Sequence, residues 1–435
     1  MSSARAVALR ALVALAKSKV ARLRDELDRI RLEPREMALA FELAHGVMRR
    51  ERLLDFVLTP FAHRGLPKDA MLRAALRLGV QQLLFVRGMP ARAAVHETVD
   101  LLRDNRAFAN AMLRRVAERL EDRAADPGQP LDELPLGPSR SLRLPAPLPA
   151  DPVARLAIVH SLPDFLVQRW TDAFGADAAA ATAAAASAVP AVFLRAMANV
   201  GGEALRQRLA EEGVVTSPTA HSLLLRWHDG NSPFMTRAFA DGAFLVQDPT
   251  ALRAAEAVPC QPGDTVVDLC AAPGTKTMRL CERVGPDGVV YAWDVDSQRR
   301  TQILANAQRL RLTDRLRVVE TVAALPMADV VLADVPCSNS GVLARRVEVR
   351  QRLHEDTARS LAVTQQQILR QAIDRCRPGG AVVYSTCSID AEENQGVVAA
   401  VRAQHPDLQL ERDELTLPQA EVADGGYWAL LRRLR

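Results

Sequence analysis

From Ala4 to about Arg123 the apolar residues recur at helical spacing: Val7, Ala8, Ala11, Leu12 and Leu15, then Leu39, Leu43 and Val47, then Leu72, Leu76 and Val80. That period puts them on one face of each segment and predicts a helical bundle. Breakers separate the runs at Glu33-Pro34, at His63-Arg64-Gly65-Leu66-Pro67 and at Gly88-Met89-Pro90. Residues 126–152 then carry Pro127, Pro130, Pro135, Pro138, Pro145, Pro147, Pro149 and Pro152 with little periodicity, which predicts a stiff, extended linker. Residues 153–240 mix helical stretches, including the alanine-rich run Ala178–Ala188, with short strand candidates such as Val192–Arg195. From Gly242 onward short β-rich runs, Thr265–Cys270, Val289–Asp294, Val330–Asp334 and Ala381–Thr386, alternate with amphipathic segments near 276–284, 297–310 and 357–377. Strand and helix in alternation predict a parallel sheet with right-handed crossovers. No repeat of solenoid period is present.

The expected organisation is therefore multidomain: an all-α domain over 1–125, the Pro-rich linker over 126–152, a small connecting α/β domain over 153–240 and a Rossmann-like α/β domain over 241–435. A length of 435 residues, 49% apolar and 25% charged, suits such a modular globular protein. No stretch reads as a signal peptide or membrane span, so a cytoplasmic location and no membrane partner are expected. Six cysteines without a C-x-x-C pair or a His/Cys cluster argue against a disulfide framework or a zinc site. Reduced thiols and no metal are expected. Residues 1–123 hold 24 Lys and Arg against 15 Asp and Glu, whereas the remainder holds 32 against 37. A basic surplus of this kind either solvates helix faces or meets a phosphate-bearing partner.

In an open α/β sheet the ligand sits beyond the carboxyl ends of the strands, so chemistry is sought there. The first strand candidate leads into Cys270-Ala271-Ala272-Pro273-Gly274-Thr275-Lys276, where small residues and a glycine turn let backbone amides approach a ligand. A P-loop is excluded, because Thr275 and Cys270 stand where its two glycines are needed. Asp294, about twenty residues on, suits the hydroxyls of a ribose, while Asp296 before Ser297 suits a helix N-cap. The next two strands end in Asp334-Val335-Pro336-Cys337-Ser338 and in Thr386-Cys387-Ser388. Cys260, Cys281 and Cys376, and Cys270 beside the turn, are read as packing residues. Cys337 and Cys387 are read as chemistry. Thiols beside a nucleotide-like cofactor fit methylation of a pyrimidine, since carbon 5 of cytosine is a poor nucleophile until a thiolate adds to carbon 6.

These motifs resemble the NOL/NOP/Sun family of RNA (cytosine-5) methyltransferases, in its Sun/Fmu branch. The resemblance extends to Glu392-Glu393-Asn394, to Val246-Gln247-Asp248-Pro249 and to Val99–Arg115, which looks like the end of a NusB-like RNA-binding domain. It implies S-adenosylmethionine as cofactor, held by Cys270–Lys276, Asp294 and Asp334. It implies Cys387 as the nucleophile, Cys337 as the residue that assists product release, Asp334 on the cytosine edge and Lys276 near the base. The chain departs from the family pattern at Thr275, at Thr250-Ala251 and at Val319-Glu320-Thr321-Val322-Ala323, where an adenine-binding Asp is usual. Either Glu320 substitutes, or backbone and apolar contacts recognise adenine. The implied function is 5-methylcytosine formation in RNA, 16S ribosomal RNA first, by a monomer. A transfer RNA enzyme of the same chemistry and a non-catalytic ribosome assembly factor are the alternatives.

Overall fold

Each helically spaced run at the amino-terminal end forms a helix, and the breakers fall between them. The computed structural model describes residues 3–18, 22–126, 128 and 130–434. Helices α1 (Ala4–Lys17), α2 (Leu23–Asp28), α3 (Pro34–Leu58), α4 (Ala70–Phe85), α5 (Ala91–Val99) and α6 (Arg106–Ala117) follow in order. Pro34 opens α3, where its missing N–H breaks no helical hydrogen bond. Asp69 caps α4 by accepting from the Leu72 N–H at 2.7 Å. Leu12, Leu43, Leu54, Leu76, Leu83 and Leu113 meet in one core. Burying each such leucine contributes ~1.5–3 kcal/mol.

The Pro-rich stretch differs from the expected linker. Strands β1 (Leu120–Glu121), β2 (Glu133–Gly137) and β3 (Arg140–Arg143) form an antiparallel sheet in the order β1-β3-β2. Leu134 pairs with Leu142 across it, and both join the helical core. Pro135 is tolerated because β2 is an edge strand. Pro127 lies outside the described residues. Helices α7 (Pro152–Val159), α8 (Asp164–Phe174) and α9 (Ala176–Ser187), the last being the alanine run, complete the first compact unit, Met1–Ser187 with Arg346–Leu353. Its boundary falls after α9, inside the segment expected as a connecting domain. Arg350 is buried in this unit and donates to the carbonyls of Arg49 at 2.6 Å and Ala186 at 2.9 Å.

The second unit comprises Ala188–Arg345 and His354–Arg435. It begins with β4 (Val192–Ala196), α10 (Gly202–Glu211), β5 (Val214–Pro218), β6 (Leu224–Gly230), α11 (Arg237–Ala240) and β7 (Phe244–Val246), whose strands form an antiparallel sheet ordered β5-β6-β4-β7. Then come α12 (Pro249–Glu256), β8 (Thr265–Asp268), α13 (Thr275–Val284), β9 (Val289–Ala292), α14 (Ser297–Leu310), β10 (Leu316–Val318), β11 (Ala328–Asp334), α15 (Thr357–Arg375), β12 (Cys376–Thr386), α16 (Gln395–Arg402), β13 (Leu408–Thr416) and β14 (Gly426–Arg433). The large sheet has the order β10-β9-β8-β11-β12-β14-β13, parallel from β10 to β12 and antiparallel at β14 and β13. Helices cover both faces, so strands such as Val330–Ala333 and Ala381–Tyr384 are buried along their length. The chain runs outward from β8 to β10 on one side and from β11 to β12 on the other. This reversal opens a crevice at the ends of β8 and β11. Among the described residues no helix is long and apolar enough to cross a membrane.

Candidate active site at the strand ends

β8 delivers Asp268 to the crevice, buried, with Thr277 donating to its Oδ2 at 2.7 Å. Its Oδ1 is buried with no hydrogen-bond partner among the described residues. Burial, reinforced by Asp334 and Asp294, pushes the Asp268 carboxyl up to about 7 against the pull of Thr277 and Lys276. The turn that follows carries Gly274 at φ +99°, a left-handed conformation that glycine adopts without strain, and α13 starts at Thr275. Asp294, just past β9, is buried and accepts from the Ala272 N–H at 3.1 Å and the Asp296 N–H at 3.0 Å. It therefore ties the β9 end to the turn. Asp296 caps α14 through the Gln298 and Arg299 amides.

β11 and β12 are paired in register, Asp334 opposite Ser385, so the two motif loops leave the sheet side by side. Asp334 Oδ2 accepts from Lys276 Nζ at 2.7 Å, and its Oδ1 from Ser385 Oγ at 2.5 Å. Burial opposes the Lys276 charge, but Asp334, with Cys387 and Asp268 further off, carries its pKa above the ordinary value. Lys276 stays an ammonium.

The two thiols meet: Cys337 Sγ lies 2.9 Å from Cys387 Sγ, both unoxidised. The hydrogen bond with Cys387, then burial, hold Cys337 well above the usual thiol range. Cys387 also lies 3.4 Å from Asn339 Oδ1, and Asn339, at φ +62°, donates to the Cys337 carbonyl at 2.8 Å. Gly341 is required here for space, since a Cβ would stand 2.8 Å from the Cys387 carbonyl oxygen and 2.7 Å from the Gly425 backbone. A pocket lined by Lys276, Ser385, Cys387, Thr250, Asp424, Tyr427 and Trp428 opens beside Cys387. Arg345 bridges Asp424 and Asp248 next to it. Burial, aided by Asp248, pushes Asp424 up to about 6 despite Arg345.

The geometry brings Cys270–Lys276, Asp294, Asp334, Cys337 and Cys387 to one end of the sheet. Cys260, Cys270, Cys281 and Cys376 lie apart from the thiol pair, each with its pKa raised by burial, as inert thiols have. Glu320 is exposed, and its carbonyl accepts from the Trp293 indole at 3.3 Å. Among the described residues no group of three His, Cys, Asp or Glu could hold a metal ion.

A family model described as 16S rRNA methyltransferase RsmB/F matches residues 255–430, and a NusB family model matches residues 2–118. Ribosomal RNA small subunit methyltransferase B of Vibrio cholerae is 30% identical, the match covering 92% of this chain and 91% of that protein. The chain belongs to the RsmB/F methyltransferase family. The Thermus thermophilus protein of the same name is also 30% identical, over 92% of this chain and 89% of its own. The crystal structure of PH0851 superposes with a TM-score of 0.75 at 23% identity over 98% of both chains, a likeness of fold. A NusB domain followed by a Rossmann-like methyltransferase domain is thus the architecture of this RsmB/F member, as its motifs implied.

Asp268, Ser385, Asn339, Asp424 and Arg345 were not singled out from sequence. Asp268 ends the strand that leads into the glycine turn and could have been found by its position. Asp424 and Arg345 come from segments far apart in the chain, and only folding brings them to the pocket.

Proposed function

We propose that this RsmB/F protein methylates carbon 5 of a cytosine in ribosomal RNA of the small subunit, with S-adenosylmethionine as donor. The observation that carries the reading is the thiol pair, 2.9 Å apart at adjacent strand ends beside the Lys276–Asp334 ion pair. Relatives named for the ribosomal small subunit support the substrate class.

The crevice fits the donor. The Oδ1 of Asp268, without a partner among the described residues, is a buried acceptor suited to an ammonium, and the Asp294 carboxylate suits ribose hydroxyls. The Cys270–Lys276 turn would hold the remainder. When bound, S-adenosylmethionine supplies an electrophilic methyl group on a sulfonium. The residues prepare the base. Cys387 adds as thiolate to carbon 6, forming a C–S bond and placing electron density on carbon 5. Lys276 lies within electrostatic reach of that sulfur, and a cation there stabilises negative charge as it develops. Asp334, fixed by Lys276 and Ser385, can accept from the amino group on the cytosine edge, while the Lys276 cation beside it offsets the negative charge displaced into the ring. Once Cys387 is bonded to carbon it is no longer a thiolate, and the hydrogen bond that adds to burial in holding the Cys337 proton is lost. Cys337 then releases its proton to solvent and, as thiolate, takes the proton from the methylated carbon 5; the C5–H electron pair re-forms the C5=C6 bond and the C–S pair leaves on Cys387. The target base must be unstacked to reach a pocket of this kind, so a loop or unpaired cytosine is the substrate.

A denaturing gel with labelled RNA and S-adenosylmethionine tests the assignment. Cys387→Ala abolishes methyl transfer and forms no covalent protein–RNA species. Cys337→Ala accumulates a covalent complex, because addition proceeds and elimination stalls. A complex trapped by the Cys387 variant and not by the Cys337 variant would move the nucleophile to the Asp334–Ser338 loop.

A further inference from the structure

Glu393 is wholly buried, and its charge adds to what holds Cys337 above the usual thiol range. Its carboxylate collects donors from both cysteine loops. Oε1 accepts from the Ser338 N–H and from Gln365 Nε2, both at 2.8 Å; Oε2 accepts from Ser388 Oγ at 2.6 Å and from Ser338 Oγ. Ser338 directly follows Cys337, and Ser388 directly follows Cys387. Ser340 completes the link by bonding Ser388 Oγ at 3.0 Å and accepting from the Ile389 N–H at 3.0 Å. Glu393 is itself anchored, since Tyr384 on β12 donates to its carbonyl at 2.5 Å. Burial pushes its pKa up, against the four hydrogen bonds.

We infer that Glu393 is a positioning residue: one carboxylate clamps the residues after both cysteines and so sets the separation of the two thiols. The inference rests on the two-cysteine reading above. β11 and β12 alone place the loops side by side, but their pairing ends at Asp334 and Ser385, before either thiol. Beyond that point the Glu393 clamp ties both loops to one group. A buried carboxylate with two donors on each oxygen holds a single arrangement, which is what a pair of groups acting on adjacent ring atoms needs.

The test reads thiol proximity without RNA or cofactor. Diamide takes two electrons and two protons from a facing dithiol, joining Cys337 to Cys387, and peptide mapping by mass spectrometry follows that bond. Glu393→Ala should slow its formation ~100-fold, the order expected for a displacement near 1 Å. Glu393→Gln should stay within a few-fold of wild type, because its amide NH2 can donate to both serine hydroxyls once these rotate while its oxygen keeps the other two donors. In the methylation assay Glu393→Ala should lower kcat with KM little changed, and Glu393→Gln should restore it. A folded Glu393→Ala protein that closes the bond at the wild-type rate overturns the inference. So does a Glu393→Gln protein as slow as the alanine variant, which would mean that the charge acts and not the clamp. Should Glu393→Ala not fold, the Ser338→Ala/Ser388→Ala double variant answers the same question: slowed closure supports the clamp and wild-type closure overturns it. Failure of the cytosine reading would leave the diamide result untouched, so the two are separable.

Discussion

The two compact units bury ionisable groups in opposite senses. In the first, the strongly perturbed groups are bases: burial pulls Arg49 down to about 10, Arg350 to about 9 and His160 to about 4. In the second they are acids: burial pushes Asp268 up to about 7, Asp424 up to about 6 and Glu393 above its ordinary value. Arg350 donates to the backbone carbonyls of Arg49 and Ala186, and His160 Nδ1 lies 2.7 Å from the Ser187 hydroxyl, contacts that hold helices together. Asp268 ends β8, where it keeps an acceptor without a partner among the described residues, and two thiols meet at the neighbouring strand ends. A perturbed pKa therefore does not identify a site by itself. An open acceptor together with convergent reactive groups does.

This contrast predicts opposite pH responses, the larger in the second unit. The folded pKa of Asp268 is raised, so its stabilising contribution is complete below 3.8 and is lost as pH rises through about 7. Asp268→Asn should raise the melting temperature at pH 8.5 and leave it unchanged at pH 4, with a gain of at most ~4 kcal/mol. Calorimetry finding equal shifts at both pH values would remove the basis for the contrast. The folded pKa of His160 is lowered by burial and by Arg350, so its contribution is present above 6.5 and is lost as pH falls through about 4. His160→Gln should remove that acid-side loss, at most ~3 kcal/mol, as seen by comparing melting at pH 7 and pH 4.5.

Binding sharpens the comparison further. Asp294→Ala should weaken S-adenosylmethionine binding by ~1.5–3 kcal/mol, the range for hydrogen bonds to a charged group, with the protein still folded. Unchanged affinity by titration calorimetry would take Asp294 out of the cofactor site and leave it a brace for the Ala272 turn. The smallest effect belongs to the first unit. Arg114 and Arg115 are exposed on α6. If that basic surplus meets phosphates, replacing both with Ala should weaken RNA binding and flatten its log–log salt slope by about one unit for each phosphate no longer neutralised. An unaltered slope would return these arginines to solvated helix faces.

Much of the fold was legible because periodicity is local. The α14 boundaries at Ser297 and Leu310 follow from amphipathic spacing and an Asp296 cap, and β8, β9, β11 and β12 follow from apolar runs between turn residues. The Pro-rich stretch was misleading because prolines report backbone stiffness, whereas the β2–β3 hairpin forms through Leu134 and Leu142 finding the helical core. The same limit applies to the first unit's boundary after α9, which depends on contacts between segments distant in the chain.

For the site, the chain by itself determined the chemistry available: a glycine turn after a strand, an acid after the next, and two cysteine motifs at later strand ends. Those are short segments whose residue types constrain function directly. Only the tertiary structure decided that Cys337 and Cys387 face each other at 2.9 Å, that Lys276 pairs with an Asp 58 residues away and that one buried Glu393 ties both loops together. Distances of this kind depend on the register of β11 against β12 and on the strand order that puts β8 beside β11. Register and order come from packing across the whole sheet, and no local stretch of residues encodes them.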